Sequence, residues 1–377
     1  HKAFDTVAII SGKDSFYTQT IREVASVDLN QTVTINGKKI GKGEKTYIIA
    51  EAGLNHNGSL KIAKELVDEA KRVNSDAVKF QTFKADSRIS SKVKAVKYAE
   101  TITGLEETLD ELFNRLAMPF EDQKNLFDYA EKVGIEIFST PFDFESVDFL
   151  ETLGVSLYKI ASMDLVNLPL IKYVARTCKP MIVSTGMSTL GQIEEAVEAV
   201  KGEGNQNLIL LHCNSSYPAA PDEMNLEVIN NLKQSFNVPV GLSDHTFGLF
   251  VSQTAIVLGA NVIERHFTLD RTFEGPDHIL SSEPDEMEEL VTLAKRIPLV
   301  LGDGLKRIQP NEYDTINTQR KSLYAACDIN KGQTITEEMI IVKGPGGGLL
   351  PRYLDIVIGR TAKEEIKEDY PIIWDII

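Results

Sequence analysis

One pattern recurs along most of this chain and limits the folds that it can adopt. A short apolar or β-branched run is followed by a polar cluster and then by an amphipathic stretch, from Thr46 to about Leu301. This alternation predicts strands joined by helical crossovers, which is the arrangement that a parallel sheet requires. The eight strand-like runs are residues 47–50, 77–80, 136–138, 157–160, 181–183, 208–211, 238–242 and 261–263.

The number and spacing of these runs favour an α/β fold in which the strands close into a parallel (β/α)8 TIM barrel. Amphipathic periodicity predicts helices between the strands, as at 60–73, 192–200 and 224–236. The repeat also spans the roughly 250 residues that are typical of such a barrel. The alternative is an open, doubly wound sheet, but the sequence AGLN after the first strand lacks the glycine-rich turn of a dinucleotide site.

Three segments lie outside the repeat. Residues 1–45 precede the barrel, and apolar side chains alternate around an Asn-Gly pair in 31–43, which predicts a β-hairpin able to plug the barrel floor. Residues 84–118 form a long insertion after the second strand, a position where barrels carry functional loops. We predict that the barrel covers 46–305 and that the turn-rich residues 310–377 form a small second domain.

Composition excludes several classes of function. The 55 acidic and 40 basic side chains give a formal net charge of −15, so the chain has no general basic surface for nucleic acid or anionic membranes. Cys178, Cys213 and Cys327 are too few, and odd in number, for a disulfide framework. No apolar run approaches the roughly 20 residues that span a bilayer, and no signal peptide is recognisable. We therefore expect a cytoplasmic protein with reduced thiols.

Polar residues end every predicted strand, which is where a parallel barrel gathers its chemistry. Alternate strand residues face opposite sides, so Ser243 and His245 share a face, as do Glu264 and His266. A single histidine in such a place is commonly a hydrogen-bonded loop residue, but His245 and His266 hold matching positions on neighbouring strands. Two imidazoles can share a divalent ion and leave positions open for water and substrate. This sparse pair predicts catalytic Mn²⁺ or Mg²⁺ rather than a closed zinc site.

The remaining strand ends have the composition of an anion pocket. Lys79 and Lys159 face inward in an acidic protein and need anionic partners, because a buried unpaired cation is costly. Hydroxyl groups that could bind a phosphate-sized anion with them follow the strands, although each alone also suits a helix cap: Thr140, Ser162, Ser184 and Ser243. Glu51 is either the ion-pair partner of a lysine or a general acid or base. Lys159 is alternatively a Schiff-base nucleophile of an aldolase, which the histidine pair argues against.

These residues lie in ordered motifs that resemble the sialic acid synthase family of the bacterial type, which includes legionaminic and pseudaminic acid synthases. The resemblance covers most of the chain from about Thr46 onward. The motifs are IAEAGLNHNG (49–58), VKFQ (78–81), STPF (139–142), YKIAS (158–162), STGM (184–187), LHC (211–213), GLSDHT (241–246), ERHF (264–267) and GPD (275–277).

The resemblance implies a barrel followed by an antifreeze-protein-like (SAF, β-clip) domain, swapped across a homodimer. It implies condensation of phosphoenolpyruvate with an open-chain N-acetyl amino sugar such as N-acetylmannosamine and release of phosphate, with His245 and His266 binding the metal that polarises the aldehyde. Glu51 matches the acid/base residue, and Lys159 with both histidines completes the catalytic set. The matching phosphoenolpyruvate-binding residues are Lys79, Thr140, Lys159, Ser162, Ser184 and Ser243. The matching sugar-binding residues are Gln81, Tyr217 and Asp277.

Two departures from the family pattern bear on the sugar. Gly344 stands where bacterial sialic acid synthases commonly have an arginine that reaches the partner's substrate, so Lys343 or Arg352 substitutes or the sugar differs. Ser215 stands where an asparagine is common, and Asn214 is the candidate to compensate. The alternatives are therefore a legionaminate or pseudaminate synthase acting on a 2,4-diacetamido-trideoxy sugar, condensation with a neutral or phosphorylated aldose, or an inactive sugar-binding scaffold of the same fold.

Overall fold

The structure, a computed structural model, describes residues 27–84, 88 and 109–377, and the chain divides after Leu301 into two units. Its strands are β1 (Thr32–Ile35), β2 (Lys38–Gly41), β3 (Tyr47–Gly53), β4 (Ala77–Thr82), β5 (Glu136–Pro141), β6 (Tyr158–Ile160), β7 (Met181–Ser184), β8 (Leu208–Cys213), β9 (Val240–Asp244), β10 (Val262–His266), β11 (Ser322–Ala325) and β12 (Ile340–Lys343). Its α-helices are α1 (Leu60–Arg72), α2 (Leu109–Leu116), α3 (Phe120–Val133), α4 (Phe144–Thr152), α5 (Leu168–Ala175), α6 (Leu190–Gly202), α7 (Val228–Phe236), α8 (Phe250–Val257), α9 (Pro284–Leu301), α10 (Tyr313–Gln319) and α11 (Leu354–Val357).

The strands β3 to β10 form one parallel sheet that curls into a barrel, so the prediction of a (β/α)8 barrel is confirmed. Their order in the sheet is β5-β4-β3-β10-β9-β8-β7-β6. The first and last barrel strands pair in register from Tyr47 and Val262 to Glu51 and His266. The hydrogen-bonded ladder has a single gap among the described strands, between β5 and β6, which are neighbours without a ladder.

Most barrel strands continue further than their apolar runs predict. β3 extends to Gly53, and the ladder between β4 and β5 includes the pair Gln81 and Thr140. Polar residues stay in the ladder because the backbone hydrogen bonds do not depend on side-chain polarity. The polar strand ends therefore keep the alternation of a strand, which turns every second side chain toward the barrel axis.

One predicted helix is shorter at its beginning than its periodicity suggested. The helix predicted over 224–236 starts at Val228 and is preceded by a separate 3₁₀ turn, Pro221–Glu223. Asn225 between the two has a φ of 44°, in the left-handed region. A helix cannot pass through a residue with that backbone conformation, which is why the two segments remain separate.

The predicted hairpin is present and fills the amino end of the barrel. β1 and β2 pair antiparallel around Asn36 and Gly37, whose φ values of 43° and 81° suit a two-residue turn. Val33, Ile35 and Ile40 are fully buried or nearly so and share one apolar cluster with inward-facing barrel residues. Each such side chain contributes roughly 1.5–3 kcal/mol when buried. Those barrel residues are Tyr47, Ile49, Ala77, Phe138, Leu157, Ile182, Ile209, Leu211 and Val262.

The second unit, from Gly302 to Ile377, has an apolar core of its own. β11 and β12 pair antiparallel, and isolated bridges such as Ile329–Ile366 add short extended segments. Residues buried in this core include Leu323, Ile335 and Ile372. The loop-rich tail predicted from the sequence is therefore a folded unit.

Two predicted segments lie largely outside the described residues. Residues 1–26 are not described, and the insertion predicted at 84–118 is described only at Lys84, at Arg88 and from Leu109 onward, where α2 begins. Among the described parts of the chain, no helix is long and apolar enough to cross a membrane.

Candidate active site

The predicted site residues converge at the carboxyl end of the barrel. There they surround a cavity of about 230 Å³. A larger cavity of about 650 Å³ lies at the amino end, bordered by residues such as Thr46 and Asn261, where barrels usually serve stability rather than chemistry. The predicted residues that line the smaller cavity are Glu51, Lys79, Gln81, Thr140, Lys159, Ser162, Ser184, Tyr217, Ser243, His245 and His266.

Asp277 is the one predicted site residue that does not line this cavity, but it is buried beside it. Its Oδ2 atom lies 3.8 Å from Nδ1 of His266. The carboxyl is therefore adjacent to the histidine pair rather than to the lysines.

Both predicted lysines are buried and hydrogen-bonded to predicted hydroxyls. Lys79 Nζ donates to Thr140 Oγ1 at 3.1 Å, and Lys159 Nζ donates to Ser184 Oγ at 2.7 Å. On the same wall, Ser162 Oγ accepts from the backbone N–H of Gly186 at 3.0 Å. Two cations with neighbouring hydroxyls form a compact group of donors, which suits a ligand that carries both a carboxylate and a phosphate.

Glu264 joins the two lysines, a role that the sequence did not assign. Its carboxylate lies 3.6 Å from the ammonium nitrogens of both Lys79 and Lys159. Ser243 Oγ donates to Glu264 Oε1 at 3.0 Å, and Glu51 Oε2 lies 2.8 Å from Lys79. Two carboxyl groups thus face two ammonium groups. The chain can bury its inward lysines because each ammonium has an anionic partner.

The two carboxyl groups occupy different electrostatic environments. Burial raises the pKa of Glu51 to about 7, although the ammonium of Lys79 acts in the opposite direction. Burial also favours a higher pKa for Glu264, but Lys159 and Lys79 outweigh it and hold that pKa below its usual value. Burial lowers the pKa of Lys159. A pair of carboxyl groups whose pKa values are driven apart is typical of a site that moves protons.

The two predicted metal ligands lie side by side. The ring centroids of His245 and His266 are 5.3 Å apart, and the Tyr217 ring stacks on His245 at 4.1 Å. His245 Nδ1 is 2.8 Å from the carbonyl oxygen of Asn214, so donation to that oxygen leaves the Nε2 lone pair for a ligand. Buried His266 Nδ1 has no hydrogen-bond partner. This orphaned nitrogen and the adjacent Asp277 carboxyl fit a divalent cation.

The protein ligands available for such an ion are few. Within the described residues, no group of three or more His, Cys, Asp or Glu side chains is arranged to hold a metal. Burial lowers the pKa of His266 well below its usual value, which favours the neutral imidazole that ligates metals. The donor set therefore suits an exchangeable ion with open coordination positions rather than a structural one.

A buried ion pair behind the histidines was not recognised from the sequence. Asp244 and Arg265 are register partners on β9 and β10 and face away from the barrel interior. Arg265 Nη1 donates to Asp244 Oδ2 at 2.8 Å, while its other nitrogens donate to Ser282 Oγ at 2.6 Å and Thr246 O at 2.7 Å. Each member of the pair immediately precedes one of the histidines in the chain. The pair therefore fixes the ends of both histidine-bearing strands.

The bend after Glu51 depends on a glycine. Gly53 has a φ of 50° and lies at a register shift between β3 and β4. A Cβ atom on Gly53 would lie 3.0 Å from Glu51 Oε1 and 3.4 Å from Gln81 Nε2. The glycine thus permits both the left-handed backbone and the close approach of two site side chains. Beyond it, Asn55 Nδ2 donates to Phe267 O and ties this loop to the one after β10.

The residues considered as substitutes for family features have local partners. Lys343 forms an ion pair with Asp369, and Arg352 Nη2 donates to the hydroxyl of Tyr353 at 2.8 Å. Ser215 lines the cavity. Asn214 instead uses its side-chain oxygen to accept from the Ser216 backbone N–H at 3.0 Å.

Comparison with known proteins relates the chain to one family and one domain type. The chain matches the NeuB family over residues 66–306 and the SAF domain over residues 320–377. It is 43% identical to N,N'-diacetyllegionaminic acid synthase of Campylobacter jejuni, covering 86% of this chain and 98% of that protein. It is 33% identical to human N-acetylneuraminate-9-phosphate synthase, covering 90% and 95% of the two chains.

A solved structure supports the same relationship. The N-acetylneuraminic acid synthetase of Leptospira borgpetersenii superposes with a TM-score of 0.67 at 35% sequence identity. The match covers 77% of this chain and 96% of that one. The predicted antifreeze-like fold of the tail agrees with its SAF match.

Proposed function

The chain belongs to the NeuB family of nonulosonic acid synthases, and on that premise we propose that it condenses phosphoenolpyruvate with an open-chain N-acetylated amino sugar and water. The products are a nine-carbon 2-keto acid and inorganic phosphate. One observation carries the proposal. Lys79 and Lys159, with their hydroxyl neighbours, line the same cavity as His245 and His266. An anion and an aldehyde can be held there within reach of each other.

The cationic wall binds phosphoenolpyruvate. Lys79, Lys159 and the hydroxyls of Thr140, Ser162, Ser184 and Ser243 donate to its carboxylate and phosphate oxygens. Binding of this anion draws the lysines from Glu51 and Glu264, which are their partners in the structure. The same donors then stabilise the negative charge that grows on the departing phosphate.

The histidine side receives the sugar. His245 and His266, with Asp277 adjacent, would hold Mn²⁺ or Mg²⁺, and a bound divalent ion supplies Lewis-acid polarisation of a carbonyl oxygen. Gln81, Tyr217 and Asp277 orient the sugar hydroxyls. This arrangement presents the aldehyde carbon to the alkene carbon of phosphoenolpyruvate.

The reaction makes one carbon–carbon bond and one carbon–oxygen bond, to the oxygen of water, and it breaks the carbon–oxygen bond to phosphate. The alkene carbon of phosphoenolpyruvate attacks the aldehyde carbon, and water adds to the resulting cationic centre. The tetrahedral intermediate then expels phosphate and becomes the 2-keto acid. Glu51, close to the cationic wall, takes one proton from the attacking water. One proton ends on the former aldehyde oxygen, which becomes a hydroxyl, and the second water proton leaves with the phosphate.

We propose 2,4-diacetamido-2,4,6-trideoxymannose as the acceptor. The legionaminic acid synthases of Campylobacter jejuni and Legionella pneumophila are 43% and 40% identical to this chain, against 33% for the human sialic acid enzyme. Gly344, which stands where bacterial sialic acid synthases commonly have an arginine, also favours a sugar other than N-acetylmannosamine. N-acetylmannosamine is the second candidate. The third is the pseudaminate-type epimer of the proposed sugar, because the pseudaminic acid synthase of Campylobacter jejuni is 37% identical to this chain.

We also propose that the chain forms a homodimer. Sedimentation as a monomer at micromolar concentration would contradict this proposal.

Phosphate release with a panel of acceptors tests the function. The purified chain receives phosphoenolpyruvate, Mn²⁺ and one sugar at a time: 2,4-diacetamido-2,4,6-trideoxymannose, its pseudaminate-type epimer, N-acetylmannosamine, or a neutral or phosphorylated aldose. We expect phosphate only when all three components are present, and fastest with the first sugar. Activity that survives EDTA would remove the proposed metal role of His245 and His266. Binding of sugar without any phosphate release would favour an inactive scaffold.

A further inference from the structure

An arginine from the insertion after β4 is held inside a group of aromatic rings at the edge of the site. The Arg88 guanidinium carbon lies 3.8 Å from the ring centroid of Phe142, 3.9 Å from that of Phe113 and 4.5 Å from that of Phe83. Phe142 and Phe83 are buried in a separate apolar cluster. Cation–π contacts of a desolvated guanidinium are among the stronger of their kind. The rings therefore fix the position of this cation.

From that position Arg88 contacts a cavity residue. Its Nη1 donates to Oε1 of Gln81 at 3.0 Å. The amide nitrogen of Gln81 faces Oε1 of Glu51, at 3.4 Å. Gln81 and Phe142 both line the cavity. Arg88 thus reaches the site through Gln81.

This contact determines which way the Gln81 amide points. A guanidinium has only donors, whereas a side-chain amide has an acceptor oxygen and a donor nitrogen. Rotating the amide by half a turn would set its NH₂ group against the guanidinium and its oxygen against the Glu51 carboxyl. Both contacts would then be repulsive. The contacts with Arg88 and Glu51 therefore keep the amide nitrogen on the side of the cavity.

We propose that Arg88 is a positioning residue for the acceptor sugar. It holds the Gln81 amide so that the amide nitrogen is presented to acceptor hydroxyls, and its hydrogen bond is to Gln81 on this side of the cavity. The inference rests on the proposed function, because it assumes that an amino sugar occupies this side of the cavity. Loss of Arg88 then weakens the acceptor and spares the anion.

A double-mutant cycle separates positioning from simple packing. Arg88→Met keeps much of the side-chain length between the rings and removes the donors, while Gln81→Met removes the amide. With 2,4-diacetamido-2,4,6-trideoxymannose as acceptor, we expect R88M to raise the acceptor KM by about tenfold or more, as for loss of a hydrogen bond to a charged group. The KM for phosphoenolpyruvate should stay within about twofold of the wild-type value, because substitutions at sites that do not interact change each other's effects by no more than this.

The cycle itself gives the deciding result. In the Q81M background, adding R88M should change the acceptor KM by less than about twofold, because the group that Arg88 positions is already gone. The proposal would be overturned if the effects of R88M and Q81M on the acceptor KM multiplied in the double variant. It would also be overturned if R88M changed the KM values for the acceptor and for phosphoenolpyruvate equally. Arg72→Met is the matched control, because Arg72 is exposed on α1 and pairs with Glu69; we expect its kinetics to equal those of the wild type.

Two further measurements keep the outcome clear. If R88M fails to fold by thermal melting, Arg88→Leu replaces it: leucine keeps an apolar side chain between the rings but has no donor, and the same rise in acceptor KM is expected. Calorimetric titration of the acceptor into the phosphoenolpyruvate-free protein measures the dissociation constant of the acceptor for the wild type and each variant. The same double-mutant cycle can then be evaluated without turnover. If the wild type binds the acceptor but releases no phosphate, the proposed catalysis fails and the Arg88 cycle still decides. If it binds no acceptor, both proposals are overturned.

Discussion

Replacing Arg265 by Met removes the cation of the buried pair that lies on the opposite face of the histidine-bearing strands. Arg265 is 1% exposed and Asp244 is also 1% exposed. The substitution deletes three hydrogen bonds, to Asp244, Ser282 and Thr246 O. It also leaves the Asp244 carboxylate buried without its counter-ion.

Breaking a buried ion pair by removing one partner costs about 3–5 kcal/mol. Asp244 keeps the N–H and hydroxyl of Thr246, at 2.9 and 2.8 Å, and the hydroxyl of Ser252. These remaining donors place the expected loss near the lower limit, about 3 kcal/mol. Because the pair also fixes the strand ends that carry the histidines, we expect Mn²⁺ affinity to fall roughly 10- to 100-fold.

Urea unfolding followed by circular dichroism gives the first quantity, and calorimetric titration with Mn²⁺ gives the second. Arg176→Met is the control, because Arg176 is 60% exposed on its side chain and pairs with Glu203 at the surface; its stability should change by less than about 1 kcal/mol. Adding Asp244→Asn to the Arg265 variant should recover part of the loss, since the buried charge is then removed. A loss below about 1 kcal/mol together with unchanged Mn²⁺ affinity would refute the reasoning.

Three other predictions concern the proton site, the bend beside it and the acid stability of the fold. Glu51→Gln should lower kcat by about 100-fold or more while phosphoenolpyruvate binding, measured by calorimetry, stays intact; unchanged turnover would reject its acid/base role. Gly53→Ala should cost about 1–2 kcal/mol for the left-handed backbone alone and raise the acceptor KM by pressing on Glu51 and Gln81, and a variant as stable and active as the wild type would contradict the steric account. Burial lowers the pKa values of His56 and His278 to about 4 each, below the ordinary value near 6.5. Each ring therefore binds more protons in the unfolded chain below pH 6.5 and lowers stability by about 2 kcal/mol between pH 7 and 5, while the raised pKa values of Glu51 and Asp277 act in the opposite direction. Urea midpoints of the wild type and of His56→Gln at the two pH values isolate the contribution of one ring, and an equal pH dependence of the two proteins would count against a neutral buried ring.

The alternation of strands and helices was readable because it is local. A buried parallel strand needs a run of apolar residues, and its crossover helix needs an apolar stripe, so both leave a period in the sequence. The hairpin around Asn36 and Gly37 was readable for the same reason, since few residue pairs adopt that turn. Strand parity also indicated that Lys79, His245 and His266 would share the carboxyl end of the barrel, where the structure brings them together.

Contacts between distant parts of the chain were decided only by the tertiary structure. Glu264 was visible as a polar strand end, but its position between Lys79 and Lys159 depends on how three strands are placed around the barrel. Arg265 shares its strand face with the apolar residues Ile263 and Phe267, and this pattern gave no sign of the Asp244 carboxylate on the neighbouring strand. Arg88 lies in the insertion predicted at 84–118 but was not singled out, because its aromatic partners come from three separate segments. A sequence period records which side of an element is buried, whereas the partner of a buried charge is set by through-space packing that no local period encodes.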